Sequence, residues 1–173
     1  MTVSVNYAEP AMNTRPDPVA PADDETRTQA RAMLQAANHA ALSWLEADGT
    51  PGISRIAFGL DPEGVPMTLI SALAPHSPAL KTRAACAVMV GEVGAKGDPL
   101  THPRLMIRAR ARFIDRDDPA RAALRAHWLK GHPKAALYVD FPDFSFVRLE
   151  PLGAVLNGGF GKAFRFAAED LRG

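Results

Sequence analysis

A small β-barrel, closed or split, with flanking helices is the fold class this sequence predicts. Two observations carry it. About six segments have the alternating or uniformly apolar pattern of strands, joined by hairpin-length or short helical links, and an amphipathic helix precedes the first. Helical segments do not alternate regularly with strands, as the crossover helices of a doubly wound sheet would.

The bounds agree with one domain. A chain of 173 residues, 47% of them hydrophobic, is long enough for a sizeable core and short for two domains. Its net charge of +1 gives no reason to expect nucleic acid or an anionic membrane as partner. No stretch approaches the ~20 apolar residues of a membrane span, and the N-terminus lacks a secretory pattern, so a cytoplasmic protein is expected. The single cysteine, Cys86, lies in an apolar run and reads as a buried, inert thiol.

Residues 1–23, with Pro10, Pro16, Pro18 and Pro21 and no periodicity, read as a flexible tail ahead of one domain over 24–173. From Asp24, an N-cap candidate, Ala30, Met33, Leu34, Ala37, Ala41, Trp44 and Leu45 recur at helical spacing, predicting one helix as far as the Asp48–Gly49 turn. Residues 53–60 alternate as a strand, Asp61-Pro62-Glu63-Gly64 is a hairpin turn, and residues 67–71 pair back.

Next comes Leu69 to Lys81, LISALAPHSPALK, a strand entering a helix through a polar turn. Ser77 reads as N-cap with Pro78 as first helical residue. Ser71, His76, Ser77 and Lys81 bring hydroxyls and cationic or protonatable groups to free amides, which suits a phosphate; a structural connection with a capping serine is the plainer alternative.

Residues 86–93 form an apolar strand and 94–103 a polar loop. In 104–115, Leu105, Ile107, Ala109, Ala111 and Phe113 face one way and Met106, Arg108, Arg110 and Arg112 the other. That arginine row is a solvated exterior, a ligand site or half of an oligomer interface. A helix over 120–130 directs Leu124 and Trp128 inward, and a further helical turn covers 134–139. Strands over 143–150 and 152–156 are separated by Pro151, and Asn157-Gly158-Gly159-Phe160-Gly161-Lys162-Ala163 lets a backbone approach closely or turn sharply.

Taken in order, the Arg55-bearing strand, SALAPHSPALK, GDPLTHPRL, GHPKAALYVDFPDF and NGGFGKA resemble the flavin-binding split-barrel proteins related to pyridoxamine 5′-phosphate oxidase, and within them the haem-utilisation branch. The resemblance spans about residues 27 to 166. It implies a homodimer of six-stranded antiparallel split barrels with FMN in grooves at the subunit interface. By that resemblance Arg55, Ser71, His76, Ser77 and Lys81 hold the phosphate, a set that suits a dianion chemically. Asn157 and Lys162 lie by the flavin ring, the lysine beside the edge that becomes negative on reduction.

Two departures temper the functional expectation. The haem-utilisation proteins carry extra C-terminal sequence with a histidine ligand, whereas this chain stops at Gly173 and its five histidines show no spacing that argues for iron or another metal. The C-terminal substrate motif of true pyridoxamine 5′-phosphate oxidases is also missing. The expected function is therefore an FMN-dependent oxidoreductase of a small-molecule substrate, with no evident acid or base. The alternative is a non-catalytic flavin- or haem-binding protein in haem or iron utilisation.

Overall fold

The computed structural model describes residues 18–159 and 161–171. Helix α1 (Asp24–Ala36) opens on a capping box: Thr26 N–H donates to Asp23 Oδ1 at 2.8 Å, and Asp23 N–H donates to Thr26 Oγ1 at 2.9 Å. The cap is Asp23, one residue before the expected position.

The helix ends nine residues before Leu45, the last residue of its apolar spacing, and the segment behind it is strand β2 (His39–Leu45). Ala40, Leu42 and Trp44 are buried alternately there, a period of two that a helix cannot satisfy. Both patterns can be written through Ala37, Ala41 and Trp44. Pairing on both edges, with β3 (Pro51–Ala57) and β6 (Ala85–Val90), decides for the strand.

The chain then gives β4 (Gly59–Leu60), β5 (Pro66–Ser71), α2 (His76–Thr82), β7 (Arg104–Phe113), α3 (Arg121–Gly131), β8 (Phe144–Asn157) and β9 (Ala163–Phe166). A short β1 (Val19–Pro21) completes a nine-stranded sheet of order β1-β9-β8-β7-β6-β2-β3, with β5 joined to β8 and β4. β1 corrects the tail boundary: Val19–Pro21 pair parallel with β9, giving their backbone partners a polar tail would leave to water. Residues 1–17 of the proposed tail lie outside the described residues.

The barrel is split between β3 and β5. Only the two-residue β4 crosses to β5, through Gly59–Met67 and Leu60–Pro66; the rest of β3 pairs with β2 alone. The sequence reading has six barrel strands with a different membership. β2 is added, and the two segments around Pro151 are one 14-residue strand, β8. Pro151 does not break it because β8 leaves β5 at Arg148 and meets β9 only at Ala154, so one of its edges is free between them. A bulge at Leu152 accommodates the bend, since Arg108 pairs with Gly153 and Ala109 with Pro151.

Two apolar clusters fill the molecule. Leu42, Ile56, Phe58, Val88, Leu105, Ile107, Leu149 and Leu156 pack inside the barrel. Met67, Leu69 and Phe146, on the opposite side of β5 and the start of β8, pack under Leu124 and Trp128 of α3. Each large side chain so buried contributes about 1.5–3 kcal/mol. Helix α3 thus covers one outer quadrant of the barrel, and among the described residues no helix covers the outward face of β3, β2, β6 and β7. Cys86, on the inner side of β6, is half-buried against the core, and burial pushes its thiol up to about 11, in keeping with an inert side chain.

Candidate functional site

Cross-strand register shows what the uncovered face carries. Partners aligned across the sheet put Arg55, Ala41, Met89, Met106, Val155 and Arg165 in one row. The next row runs Ile53, Ser43, Ala87, Arg108 and Gly153. Residues in register share a face, so this surface is a low floor of mostly small and apolar side chains, with Arg55 and Arg165 at the ends of one row and Arg108 within the next. At a strand spacing near 4.8 Å, Arg55 and Arg165 stand about 24 Å apart.

Arg55 is exposed and forms no hydrogen bond or ion pair. It lines a groove of about 490 Å³ with Ile53, Met89 and Val93, all exposed, and with His39 and Glu92. Within that groove His39 Nε2 lies 3.0 Å from Glu92 Oε1, and its Nδ1 2.7 Å from Asn38 Oδ1. The sequence reading placed His39 in a helix and missed this pair; the signal was the alternation from His39 to Leu45.

The remaining expected residues occupy other places. Ser71 ends β5, where its hydroxyl donates to Asp143 Oδ2 at 2.6 Å and accepts from Leu73 N–H at 3.1 Å. His76 is 7% exposed, packed edge-on against Trp44 at 5.3 Å, with Nδ1 3.1 Å from Ser54 Oγ and Nε2 without a partner. Burial pushes its pKa below the ordinary histidine value. Ser77 is buried at the second position of α2 and is not its cap: the helix begins one residue earlier, after Pro75, with no side-chain cap. Its start is fixed by Ser77 N–H donating to the Ala74 carbonyl at 2.9 Å. Lys81 is exposed, its ammonium 5.2 Å from the Phe113 ring centroid.

Asn157 and Lys162 sit at the other end of the molecule, in the β8–β9 hairpin. Asn157 Oδ1 accepts from Gly159 N–H at 3.2 Å, and Gly158 N–H donates to the Lys162 carbonyl at 2.7 Å. Gly159 has φ of 118°, and a Cβ there would stand 3.0 Å from the Thr101 carbonyl oxygen, so glycine is required by both conformation and contact. Ser71 pairs with Phe144 and Asn157 with Arg104, at opposite ends of β8. Arg55 and Asn157 do share the outward face, four strands and one row apart, roughly 20 Å. The chain therefore brings His76 beside Ser54 and Trp44 on the inner side of β3, with Ser71, Ser77 and Lys81 on the same strand–helix connection, puts Arg55 on the opposite, outward face, and keeps Asn157 and Lys162 apart from them all.

Among the described residues, no group of three or more histidine, cysteine, aspartate or glutamate side chains comes together as a metal site, and no helix is long and apolar enough to cross a membrane.

The comparisons with known proteins are consistent with this architecture. No protein-family model matches the chain. It is 32% identical over 122 residues to "Non-canonical heme oxygenase HOZ, chloroplastic" of Arabidopsis thaliana, covering 70% of this chain and 36% of that protein. One solved structure is 42% identical with a TM-score of 0.79, across 88% of this chain and 99% of its own. A heme binding protein from Mycobacterium smegmatis is 26% identical with a TM-score of 0.75, across 91% of this chain and 61% of that one. The chain thus spans about a third of the curated relative and under two thirds of the mycobacterial protein. A putative pyridoxamine 5′-phosphate oxidase from Listeria innocua, 14% identical with a TM-score of 0.61 across 78% of this chain and 99% of its own, shares the fold. The sheet split between β3 and β5, the order of its strands and these likenesses together make the chain a member of the split-barrel family related to pyridoxamine 5′-phosphate oxidase.

Proposed function

We propose that this protein binds FMN at the Arg55 end of the outward face, as a cytoplasmic homodimer, and acts as an FMN-dependent oxidoreductase of a small molecule in haem utilisation. The observation that carries the reading is the exposed, unpaired Arg55 guanidinium in a groove of ligand size whose wall combines Ile53, Met89 and Val93 with the His39–Glu92 pair. A planar ring with an anionic tail has the matching chemistry: apolar area for the floor and a phosphate for the guanidinium fork.

One feature of the chain fits that group directly: the exposed Arg55 has no internal partner. Ser71 fits less directly, because its proton is given to Asp143 and that carboxylate opposes a nearby dianion. In this reading Arg55 and Lys81 neutralise the phosphate while His76 and Ser77 order the connection that presents it. Bound flavin supplies hydride acceptance at its N5. Asn157 and Lys162 lie roughly 20 Å from Arg55, too far for a single ring system, so they belong to the ring only if a second copy contributes them.

Haem is the second reading, favoured by the names of the Arabidopsis and mycobacterial relatives and by the length of the apolar strip, which suits a tetrapyrrole as well as a flavin. Absorbance titrations separate the two. FMN is expected to bind with its absorbance retained through gel filtration, and R55A to lose it while its circular dichroism is unchanged. Haem uptake with a Soret shift and no FMN binding selects the second reading. Neither ligand binding, or R55A retaining full FMN content, overturns the Arg55 site, and a monomer by light scattering overturns the dimer.

A further inference from the structure

The groove beside Arg55 has a neighbour. Between the end of α1 and the chain joining β6 to β7 lies a second cavity of about 450 Å³, within the size range of small-molecule pockets. His39, Gly91 and Glu92 line both spaces, so cavity and groove share one wall.

That wall is thin. Gly91, just past the end of β6, has no side chain to add and no room for one: its φ is 133°, and a Cβ would stand 2.5 Å from the Pro103 carbonyl oxygen and 2.9 Å from Arg104 Cα. The side chains that divide cavity from groove are therefore those of the His39–Glu92 pair, 39% and 78% exposed. A pair so exposed is weakly held.

The polar atoms around the cavity are already engaged within the protein. His39 Nε2 faces Glu92 Oε1 at 3.0 Å and Nδ1 faces Asn38 Oδ1 at 2.7 Å, so both ring nitrogens have partners. The Asn38 carbonyl accepts from Phe58 N–H at 3.0 Å, and the Met33 carbonyl from Ala37 N–H at 3.2 Å. Met33, Ala36, Ala37 and Pro103 complete the lining, and among the described residues no lysine or arginine joins them. A charged group entering this space loses hydration and meets no free counter-charge, whereas an aromatic ring meets apolar surface and a methionine that adapts its shape and makes favourable sulfur contacts.

We propose that this cavity is the substrate pocket of the site described above, and that it takes a small uncharged aromatic molecule lying against the His39–Glu92 wall. Its role as a substrate pocket rests on the cofactor reading; its preference for an uncharged ring rests on the lining alone.

The test titrates the full chain with 2-naphthol, followed by the probe's own fluorescence, beside its anionic and cationic analogues 2-naphthoate and 2-naphthylmethylammonium. Saturable binding of 2-naphthol is expected, at least tenfold tighter than either charged analogue. M33W and A36F, which narrow the cavity, are each expected to weaken it at least fivefold, and H127A, in the separate space beside α3, to change it less than twofold. Ala36 is the exposed last residue of α1, so A36F is expected to fold and keeps the test valid if M33W does not; circular dichroism checks both. Absence of saturable binding, equal affinity for all three probes, or M33W and A36F both without effect overturns the pocket. With FMN present, 2-naphthol is expected to shift the flavin absorbance bands. Both ligands bound with an unmoved flavin spectrum overturns the substrate role. Binding of 2-naphthol by a chain that takes up no FMN overturns the cofactor reading and the substrate role with it, and leaves the apolar pocket standing.

Discussion

Replacing Arg148 by methionine tests how the split barrel is held at its one crossing. Asp61 follows β4, and its side chain has no exposure; Oδ1 accepts from Glu63 N–H at 2.9 Å and Val65 N–H at 2.8 Å, fixing the turn into β5. Its Oδ2 lies 2.6 Å from Arg148 Nε on β8, a charge contact without directed hydrogen-bond geometry, while Arg148 Nη2 reaches Glu63 at 2.7 Å. Removing one partner of a buried pair costs about 3–5 kcal/mol because the other charge is stranded. Arg148 is itself 19% exposed and the geometry is imperfect, which places R148M near the lower end, ~3 kcal/mol. For a domain of this size that lowers Tm by about 6–12 °C. The exposed Glu63 contributes much less, and E63Q is expected to cost under about 1 kcal/mol. Urea unfolding measures both. The decisive variant is D61N/R148M: asparagine keeps the turn acceptor and removes the stranded charge, so the double variant is expected to be more stable than R148M alone. Additive losses would refute the argument.

Three further outcomes follow from the same contacts. His76 is buried with its pKa lowered, so the unfolded chain binds its proton more readily; stability is expected to fall as pH drops below about 6.5, and H76Q to flatten that slope in urea midpoints between pH 7.5 and 5.5. An equal slope in H76Q would assign the loss to other groups. A Cβ on Gly52 would stand 2.3 Å from the Trp44 indole, so G52A is expected to cost about 1–3 kcal/mol and to shift tryptophan fluorescence; an unchanged midpoint would contradict that packing. Under the flavin reading, D143N removes the carboxylate beside Ser71 and is expected to tighten FMN binding several-fold, measured by fluorescence quenching, whereas weaker binding would make Asp143 a supporting residue.

Much of this architecture was legible in the chain itself. Strict alternation over residues 104–113 and the Asp61–Gly64 turn signal are local facts, enforced by side-chain period and backbone conformation, and the structure keeps both. The ordered motifs identified the family, because a set of turns and caps in sequence is far more specific than any one of them.

What the sequence could not settle were choices that depend on neighbours distant along the chain. Ala37 to Leu45 suits a helix or a strand until β3 and β6 offer it two edges, and Pro151 breaks a strand only where both edges are needed. The candidate site divides in the same way. Residue types from Ser71 to Lys81 were readable as polar and cationic, but solvation and partners belong to the fold: it buries His76, engages Ser71 with Asp143, and leaves Arg55 and Arg108 unpaired at separate places on one face. The sequence alone determined the strands, turns and charges available; only the tertiary structure decided which charges were neutralised, because ion pairs and burial are set by approach in space and not by order along the chain.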